Sequence, residues 1–251
     1  MEKTVLITGA TSGFGEAMAF LFAEKGCPLI LTGRRQERLN GLKSRLSATT
    51  EVHTLCFDVR NRDEAEAAAA SIPEHLQTVD VLINNAGLAL GRSNIPNGDP
   101  GDWDTMIDTN VKGLLYVTRA FLPFLRRSKQ GHIINVGSIA GTEVYPGGNV
   151  YCASKHAVNA ISKALRQELL SEGIRVGQIR PGLADTEFSL VRYKGDAAKA
   201  EQVYKGYEAL TAADVADAAY YMVSAPPHVC INDLEITPTS QANAFMIEKQ
   251  A

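Results

Sequence analysis

Short apolar runs alternate along this chain with longer stretches in which apolar residues recur at three- and four-residue steps. The short runs predict β-strands at residues 4–8, 28–32, 52–57, 79–83, 132–136, 174–179 and 229–236. The longer stretches predict helices at residues 14–25, 36–46, 63–72, 103–125, 151–170 and 212–223. Repeated strand–helix units are typical of a parallel sheet that helices cover on both faces. The pattern therefore predicts an α/β fold with a buried parallel sheet.

Nothing in this pattern marks a boundary between domains, because neither a Pro/Ser-rich linker nor an internal repeat interrupts it. We therefore expect a single domain over residues 1–251. One segment departs from the alternation: residues 185–207 are polar, contain Gly195 and Gly206, and lack a strand pattern. An insertion of this length in a compact domain is usually functional. We expect it to form a lid over a substrate site.

Composition narrows the classes of function. The 251 residues are 45% hydrophobic and 21% charged, and 25 basic against 28 acidic side chains leave a net charge of −3. This balance argues against nucleic acid or an anionic membrane as the main partner. No apolar run approaches the ~18 residues that span a bilayer, and the first residues carry no secretory pattern. The cysteines have neither metal-ligand spacing nor a disulfide framework; they are Cys27, Cys56, Cys152 and Cys230. The sequence thus predicts a cytoplasmic protein with reduced thiols and no metal.

A glycine-rich turn follows the first predicted strand, with the sequence Thr-Gly-Ala-Thr-Ser-Gly-Phe-Gly at residues 8–15. Glycines allow a tight turn and let a phosphate approach the backbone, where the N–H groups of the next helix face it. A strand–turn–helix corner without a ligand would also explain the glycines. Their position after the first strand of an alternating chain favours a dinucleotide site. The candidate cofactor residues in this turn are Gly9, Thr11, Ser12, Gly13, Phe14 and Gly15.

Two basic residues follow the second predicted strand, where a dinucleotide site would hold the adenosine ribose. An acidic residue at this point would bind the ribose diol of NAD. Arg34 and Arg35 instead suit the 2′-phosphate of NADP, because guanidinium groups make charge-assisted, bidentate hydrogen bonds to phosphate. Both arginines could also be solvated charges at the start of a helix. Arginine there opposes the helix dipole, so the sequence favours NADP over NAD.

A tyrosine, a lysine and a serine form the candidate catalytic group. Tyr151 and Lys155 are four residues apart and share one face of the predicted helix, and Ser138 follows a buried strand thirteen residues upstream. A phenol with a pKa of ~10 is a poor acid or base near neutrality, and a nearby ammonium lowers that pKa. A serine hydroxyl can hold a substrate oxygen. Separately, these residues could be two surface side chains and a helix cap; together with the glycine turn they favour catalysis.

The chain resembles the short-chain dehydrogenases/reductases over nearly its whole length. The matching motifs are residues 8–15, Asp58-Val59, Asn84-Asn85-Ala86-Gly87, Asn110, Gly137-Ser138, Tyr151-x3-Lys155 and Pro181-Gly182. The resemblance implies a Rossmann-like, three-layer, doubly wound sheet of about seven strands and hydride exchange with a nicotinamide. By the same resemblance, Tyr151 is the general acid/base and Lys155 binds the nicotinamide ribose and tunes Tyr151. Ser138 would orient the substrate oxygen, and Asn110 would hold the helix geometry and a proton-relay water.

Further cofactor residues follow from the resemblance. It implies that these residues border the dinucleotide: Asp58, Val59, Asn85, Ala86, Gly87, Tyr151, Lys155, Pro181, Gly182, Leu183 and Thr186. It also implies a homotetramer, because such assemblies are common in the family. A closer branch is indicated by the sequences at residues 32–39, 58–62, 85–91, 147–151 and 186–189. These look like the NADP-dependent 3-hydroxy acid (serine) dehydrogenases and the similar sulfoacetaldehyde reductases.

Both groups in this branch handle short anionic substrates, so the chain needs donors for an acid group. The candidate substrate residues are Ser138, Tyr145, Asn149, Tyr151 and Arg192. Lys194, Arg180 and the backbone of Gly147 and Gly148 are further choices for the anion. We expect NADPH-dependent reduction of a small anionic aldehyde or ketone. Oxidation of L-serine or a 3-hydroxy acid with NADP stays open, as does a non-enzymatic NADP-binding regulator. The choice between carboxylate and sulfonate also stays open.

Overall fold

Seven parallel strands form one sheet in the computed structural model, which describes residues 3–249. The strands are β1 (Val5–Ile7), β2 (Leu29–Gly33), β3 (Val52–Cys56), β4 (Val81–Asn84), β5 (His132–Val136), β6 (Arg175–Pro181) and β7 (Asp233–Ile236). Their order across the sheet is β3-β2-β1-β4-β5-β6-β7. The predicted α/β fold with a parallel, doubly wound sheet of seven strands is confirmed.

Helices connect the strands, and the described residues form nine α-helices. They are α1 (Gly13–Glu24), α2 (Gln36–Leu46), α3 (Arg62–Ala70), α4 (Pro100–Ile107), α5 (Leu114–Leu125), α6 (Asn149–Glu168), α7 (Glu187–Arg192), α8 (Ala197–Tyr204) and α9 (Ala212–Ser224). The stretch predicted as one helix at residues 103–125 contains a π-helical segment, Asp108–Gly113, between α4 and α5. Among these residues, no helix has both the length and the apolar character needed to cross a bilayer.

Successive side chains of a strand point to opposite faces of the sheet. Each face packs against an apolar core, so the sheet is buried on both sides. Val5 and Ile7 of β1 pack in one core with side chains of α1, α2 and α9. Leu6, between them, points to the other core, which α3 and α5 cover. The central strands consequently read as continuous apolar runs, which is why the sequence pattern located them.

A ladder of buried amides ties the central strands to two helices. Asn84 of β4 lies opposite Asn135 of β5, and its Nδ2 donates to the Asn135 Oδ1 at 2.9 Å. The same Nδ2 donates to the Thr118 hydroxyl of α5, also at 2.9 Å. Asn135 in turn donates to the Ser162 hydroxyl of α6 at 2.9 Å. Because buried polar groups are costly without partners, this ladder favours one register of strands and helices.

The strand order reverses between β1 and β4, two neighbouring strands at the centre of the sheet. Ligands of open parallel sheets bind outside the carboxyl ends of the strands at such a reversal. The glycine turn after β1, residues 85–87 after β4, Ser138 after β5 and residues 182–186 after β6 all lie at this edge. The topology therefore places the predicted site residues next to one another.

The segment predicted as a lid contains α7 and α8. Its two ends meet in a parallel bridge between Ala184 and Leu210, so the segment leaves and returns at the same point. The Tyr204 hydroxyl holds it there, donating to the Ala184 carbonyl at 2.8 Å and lying 2.6 Å from the Ser189 hydroxyl. Residues 185–209 thus form a closed loop with helical structure.

A buried histidine lies at the opposite, amino-terminal edge of the sheet. His132 begins β5 opposite Arg175 of β6 and is fully buried. Among the described residues, neither of its ring nitrogens has a hydrogen-bond partner. Burial, together with the charges of Arg175 and Lys3, lowers the pKa of His132 to about 3. The imidazole is therefore neutral in the folded protein at physiological pH.

This histidine makes stability depend on pH. Its folded pKa lies below the unfolded value, so the unfolded chain takes up a proton first and stability falls as pH drops from about 6.5 towards 3. At pH 5 the cost is about 2 kcal/mol. Between pH 7 and pH 5, the free energy of unfolding should fall further in the unmodified protein than in His132→Leu, by about 2 kcal/mol. Urea denaturation at both pH values measures the difference. Equal losses in the two proteins would contradict this assignment.

Candidate active site

Two adjoining depressions open at the carboxyl edge of the sheet. The first, here called the cleft, has a volume of about 270 Å3 and lies between the glycine turn, the ends of β2 and β4, and the start of α7. The second, here called the cavity, has a volume of about 540 Å3 and lies between Ser138, residues 184–204 and residues 241–249. Tyr151 lines both. The two depressions therefore meet at the predicted catalytic tyrosine.

The glycine turn has a shape that only glycine permits at its key positions. Gly9 has a φ of +64°, in the left-handed region that side chains disfavour. A Cβ on Gly15 would clash with the Gly9 carbonyl oxygen and with the Asn85 amide. That amide donates to the Thr8 carbonyl at 2.8 Å, and the Thr8 hydroxyl accepts from the backbone of Asn85 and Ala86. The turn and the end of β4 thereby form one rigid floor for the cleft.

Most predicted cofactor residues lie around this cleft. Those that line it are Gly9, Thr11, Ser12, Gly13, Phe14, Arg34, Arg35, Asp58, Val59, Asn85, Ala86, Gly87, Tyr151, Lys155 and Thr186. Gly15 lies behind the turn, where it allows the close packing described above. Pro181, Gly182 and Leu183 instead line the cavity. The last group lies at the end of β6, which is separated from the glycine turn by β4 and β5.

Three arginines stand on one side of the cleft. Arg35 donates to the hydroxyl groups of Thr11 and Ser12, each at 3.0 Å, and Arg34 lies 3.7 Å from the Asp58 carboxylate. Arg38, in the first turn of α2, was not among the predicted cofactor residues, although its place four residues after Arg34 could have indicated it. Arg38 donates to both carboxylate oxygens of Glu187, at 2.9 and 3.0 Å.

The predicted catalytic lysine is held by the backbone of the neighbouring strand. Lys155 and Tyr151 are buried on α6, and the Lys155 ammonium donates to the Val136 carbonyl at 2.8 Å. This ammonium lies 6.0 Å from the centre of the Tyr151 ring. Ser138 lies two residues after the end of β5, and its hydroxyl accepts from the Ala140 backbone at 3.1 Å. The fold thus brings the three predicted side chains together.

Burial dominates the protonation of this group. It raises the pKa of Tyr151; the neighbouring Tyr145 acts in the same direction, while a hydrogen bond with Ser138 and the charge of Arg192 act against it. Burial also lowers the pKa of Lys155 to about 8. From the sequence, the lysine was predicted to lower the pKa of the tyrosine. The net direction is opposite, because loss of hydration outweighs the favourable charges around the phenol.

Asn110 lies in the π-helical segment and clamps the loop after β4. Its Oδ1 accepts from the Leu88 N–H at 2.9 Å, and its Nδ2 donates to the Leu88 carbonyl at 2.8 Å. Nδ2 also donates to the Ser154 hydroxyl of α6 at 3.0 Å. Asn110 therefore links three elements of the site, which fits the geometric role that the resemblance implied. Its part in a proton relay stays a prediction.

The cavity carries positive charge beside the catalytic group. Arg192, the last residue of α7, donates to the Tyr145 hydroxyl at 2.8 Å and to the Gly91 carbonyl at 3.2 Å. Its guanidinium carbon lies 5.7 Å from the centre of the Tyr151 ring. Sequence reasoning missed Arg92, whose guanidinium lies 5.7 Å from the Tyr145 ring. Among the described residues, the cavity lining contains four basic side chains and no aspartate or glutamate; the four are Arg92, Arg192, Lys199 and Lys249.

Other candidates for the anion have different partners. Asn149 begins α6, donates to the Ser93 carbonyl at 2.8 Å and lies outside the cavity lining. Arg180 forms ion pairs with Asp233 and Glu235 of β7. Lys194 pairs with Asp99 and Asp102 and so fastens the end of α7 to the start of α4. Of the three cations named from the sequence, Arg192, Lys194 and Arg180, Arg192 is the one that lines the cavity.

The C-terminal segment forms a wall of the cavity of its own chain. Gln241 is buried and accepts from the Leu183 N–H at 2.8 Å. The Ala244 N–H donates to the Glu143 carboxylate at 2.7 Å. Residues 250 and 251 lie outside the described residues. Elsewhere in residues 3–249, no three His, Cys, Asp or Glu side chains converge as metal ligands would.

Comparison with known proteins decides the family. The family model described as short chain dehydrogenase matches residues 3–196. The chain belongs to the short-chain dehydrogenase family. This membership makes it an oxidoreductase, and it confirms the resemblance that the glycine turn and the Tyr-x3-Lys motif indicated.

The branch within the family is also confirmed. Sulfoacetaldehyde reductase of Chromohalobacter salexigens is 51% identical over 253 residues, covering 100% of each chain. The NADP-dependent 3-hydroxy acid dehydrogenase YdfG of Escherichia coli is 49% identical over 241 residues, covering 96% of each chain. Among solved structures, the closed form of serine dehydrogenase complexed with NADP+ is 47% identical, with a TM-score of 0.92. That similarity covers 99% of this chain and 100% of the other.

Proposed function

We propose that this enzyme reduces the carbonyl group of a small anionic aldehyde or ketone with NADPH. The observation that carries the proposal is the cavity beside Tyr151, where the described lining has four basic side chains and no acidic one. Relatives named sulfoacetaldehyde reductase and 3-hydroxy acid dehydrogenase support it. The substrate would be sulfoacetaldehyde, giving isethionate, or a 3-oxo acid of the malonate-semialdehyde type, giving the 3-hydroxy acid. The reaction is reversible.

The residues of the cleft suit NADP. The turn with Gly9 and Gly13 provides a concave backbone in which a side chain would obstruct a phosphate. Arg34 and Arg35 line the cleft and place two guanidinium groups where a 2′-phosphate needs charged donors. The relative named NADP-dependent and the structure containing NADP+ support this choice. When bound, the reduced nicotinamide supplies the hydride.

The side chains around Tyr151 would manage the proton. Because burial raises its pKa, Tyr151 keeps its proton at neutral pH and can donate it to the carbonyl oxygen as the hydride arrives. Ser138 would hold that oxygen with its hydroxyl. The Lys155 ammonium, fixed on the Val136 carbonyl, would stabilise the phenolate that forms. Asn110 would keep the loop after β4 and α6 in place for these steps.

The acid group of the substrate would lie against Arg192. This guanidinium uses Nε and Nη1 for Gly91 and Tyr145, and no carboxylate among the described residues forms an ion pair with it. Arg92 adds a second charge on the Tyr145 ring. The Tyr145 ring thus lies between two cations, Arg92 and Arg192. Asn149 is not part of this proposal, because its amide is engaged by Ser93.

A second candidate function is the same reaction in the oxidative direction. The close likeness to serine dehydrogenase favours oxidation of L-serine or another 3-hydroxy acid with NADP. The same residues would then act in reverse, with Tyr151 as the base. The complete Ser138, Tyr151 and Lys155 group argues against a non-enzymatic NADP-binding regulator. Homotetrameric assembly and a cytoplasmic location stay predictions from the family resemblance.

Removing the phenolic hydroxyl tests the proton donor. We expect Tyr151→Phe to lower kcat at least ~100-fold, because the carbonyl oxygen loses its acid while the ring still fills the boundary between cleft and cavity. Binding of NADPH should be nearly unchanged. Steady-state kinetics and cofactor titration measure the two effects. A variant with near-normal turnover would exclude Tyr151 as the acid.

Removing the arginines tests the cofactor. Replacing Arg34 and Arg35 together by Ala should raise the KM for NADPH and leave that for NADH almost unchanged, since only NADPH carries the 2′-phosphate. The preference for NADPH should fall by about 2–4 kcal/mol, the contribution of lost charged hydrogen bonds. Kinetics with both cofactors measure it. Equal use of NADH and NADPH by the unmodified enzyme would refute the assignment.

Removing the lid cation tests the substrate class. Arg192→Ala should lower kcat/KM for sulfoacetaldehyde or malonate semialdehyde by about 10- to 100-fold, the effect of a lost charged hydrogen bond. Turnover of a neutral aldehyde of similar size should barely change. Lys194→Ala is the matched control, because it removes a cation from the same lid segment whose partners are Asp99 and Asp102. Equal losses on acidic and neutral substrates would show that Arg192 only holds the lid.

A further inference from the structure

Helix α7 connects the two depressions of the site. Its first residue, Glu187, lies beside the cleft, and its last residue, Arg192, lies at the cavity. The helix begins directly above the glycine turn: Thr186 caps it, accepting from the Phe188 N–H at 3.2 Å, and packs against Gly13. Whatever occupies the cleft therefore lies beneath the start of this helix.

The start of α7 is fastened to the far side of the cleft by one carboxylate. Both oxygens of Glu187 accept from Arg38 Nη1, at 2.9 and 3.0 Å, and Arg35 lies 3.4 Å from the second oxygen. Burial alone would raise the pKa of Glu187, but the hydrogen bonds and charges of Arg38 and Arg35 lower it. These contacts cross from the lid to α2, which are about 150 residues apart in sequence.

The position of Glu187 needs an explanation, because it is an acidic side chain beside a site for an anionic cofactor. A carboxylate there repels a phosphate unless a cation neutralises it. Arg38 is that cation: it engages both oxygens of Glu187 and lies outside the lining of the cleft. Arg34, by contrast, is available to the cleft, and Arg35 is held there by Thr11 and Ser12. Glu187 and Arg38 thus form a contact between two parts of the protein, while Arg34 is left for the phosphate and Arg35 lies between Glu187 and the cleft.

We propose that the ion pair of Glu187 with Arg38 is a clasp that holds α7 across the bound cofactor and slows its release. A cofactor in the cleft would lie between the glycine turn and the start of α7, so it would leave only when the clasp opens. The clasp also fixes the helix that carries Arg192, which makes Glu187 a positioning residue for the anion site. The inference rests on the proposed use of NADP, but it does not depend on which carbonyl compound is reduced.

The test measures cofactor release without any substrate. Stopped-flow fluorescence would follow displacement of NADPH, and separately of NADH, from the whole enzyme. We expect Glu187→Gln and Arg38→Gln each to speed release of both cofactors by about two- to fivefold, the size expected for a half-exposed ion pair. The double variant should be no faster than either single variant, because the same contact is lost. The charge exchange Glu187→Arg with Arg38→Glu should restore slow release.

A matched control removes a similar pair elsewhere. Glu16 of α1 and Arg45 of α2 form an exposed ion pair at 2.9 Å that does not involve the lid, so Glu16→Gln should leave release unchanged. Thermal unfolding of each variant would identify a general loss of structure. Unchanged release in Glu187→Gln would overturn the clasp. Slower release of NADPH alone would also overturn it, because Glu187 would then compete with the 2′-phosphate for the arginines.

A second readout follows the other end of the helix. With the clasp open, Arg192 is less well placed, so Glu187→Gln should raise the KM for an anionic aldehyde about two- to fivefold and leave the KM for a neutral aldehyde unchanged. An equal change on both aldehydes would contradict the link to Arg192. Failure of the proposed function would look different, since the unmodified enzyme would then reduce no anionic aldehyde while the release rates still responded to the clasp.

Discussion

The hydrogen-bonded ladder between Asn84 and Asn135 is the contact on which the geometry of the site depends. It lies inside the sheet, and its outer members are Thr118 on α5 and Ser162 on α6. A shift of one residue between β4 and β5 would turn one of the two amides to the opposite face and leave it buried without partners. The ladder therefore fixes the height of α6 relative to the end of β5. Tyr151 and Lys155 come from that helix and Ser138 from the turn after that strand, so the three side chains meet at one edge of the sheet.

The same reasoning explains how much the sequence could predict. Strands and the glycine turn were predictable because fully buried parallel strands are apolar runs and the turn has few alternatives to glycine. The π-helical segment around Asn110 was not, because an extra residue in one turn leaves the apolar face of residues 103–125 almost unchanged. Nor could the sequence pair Glu187 with Arg38, since nothing local connects residues so far apart. Asn149 was chosen for its nearness to the catalytic helix, and only the folded chain shows that Ser93 engages its amide.

The charges of the two depressions differ in a way that suits their contents. Around the cleft, Asp58 and Glu187 accompany the arginines, so the positive charge is partly neutralised and confined to one side. The cavity has no acidic side chain among its described lining residues, and although Lys199 is paired with Asp196 outside that lining, Arg92 and Arg192 still favour a small anion. Tyr151 separates them as a buried, uncharged phenol. A proton transfer at this boundary thus takes place next to fixed positive charge, where an oxygen that gains negative charge is stabilised.

Residues 241–249 form one wall of the cavity, and their position affects how the cavities of related enzymes can diverge. These residues follow the last strand. They contribute no side chain to either of the two large cores on the faces of the sheet. They are held by a few contacts, chiefly Gln241 with Leu183 and the Ala244 backbone with Glu143. Insertions or exchanges there would alter the size of the cavity at little thermodynamic cost to the fold. Natural variation in substrate range can therefore accumulate in this segment while the catalytic edge of the sheet stays constant.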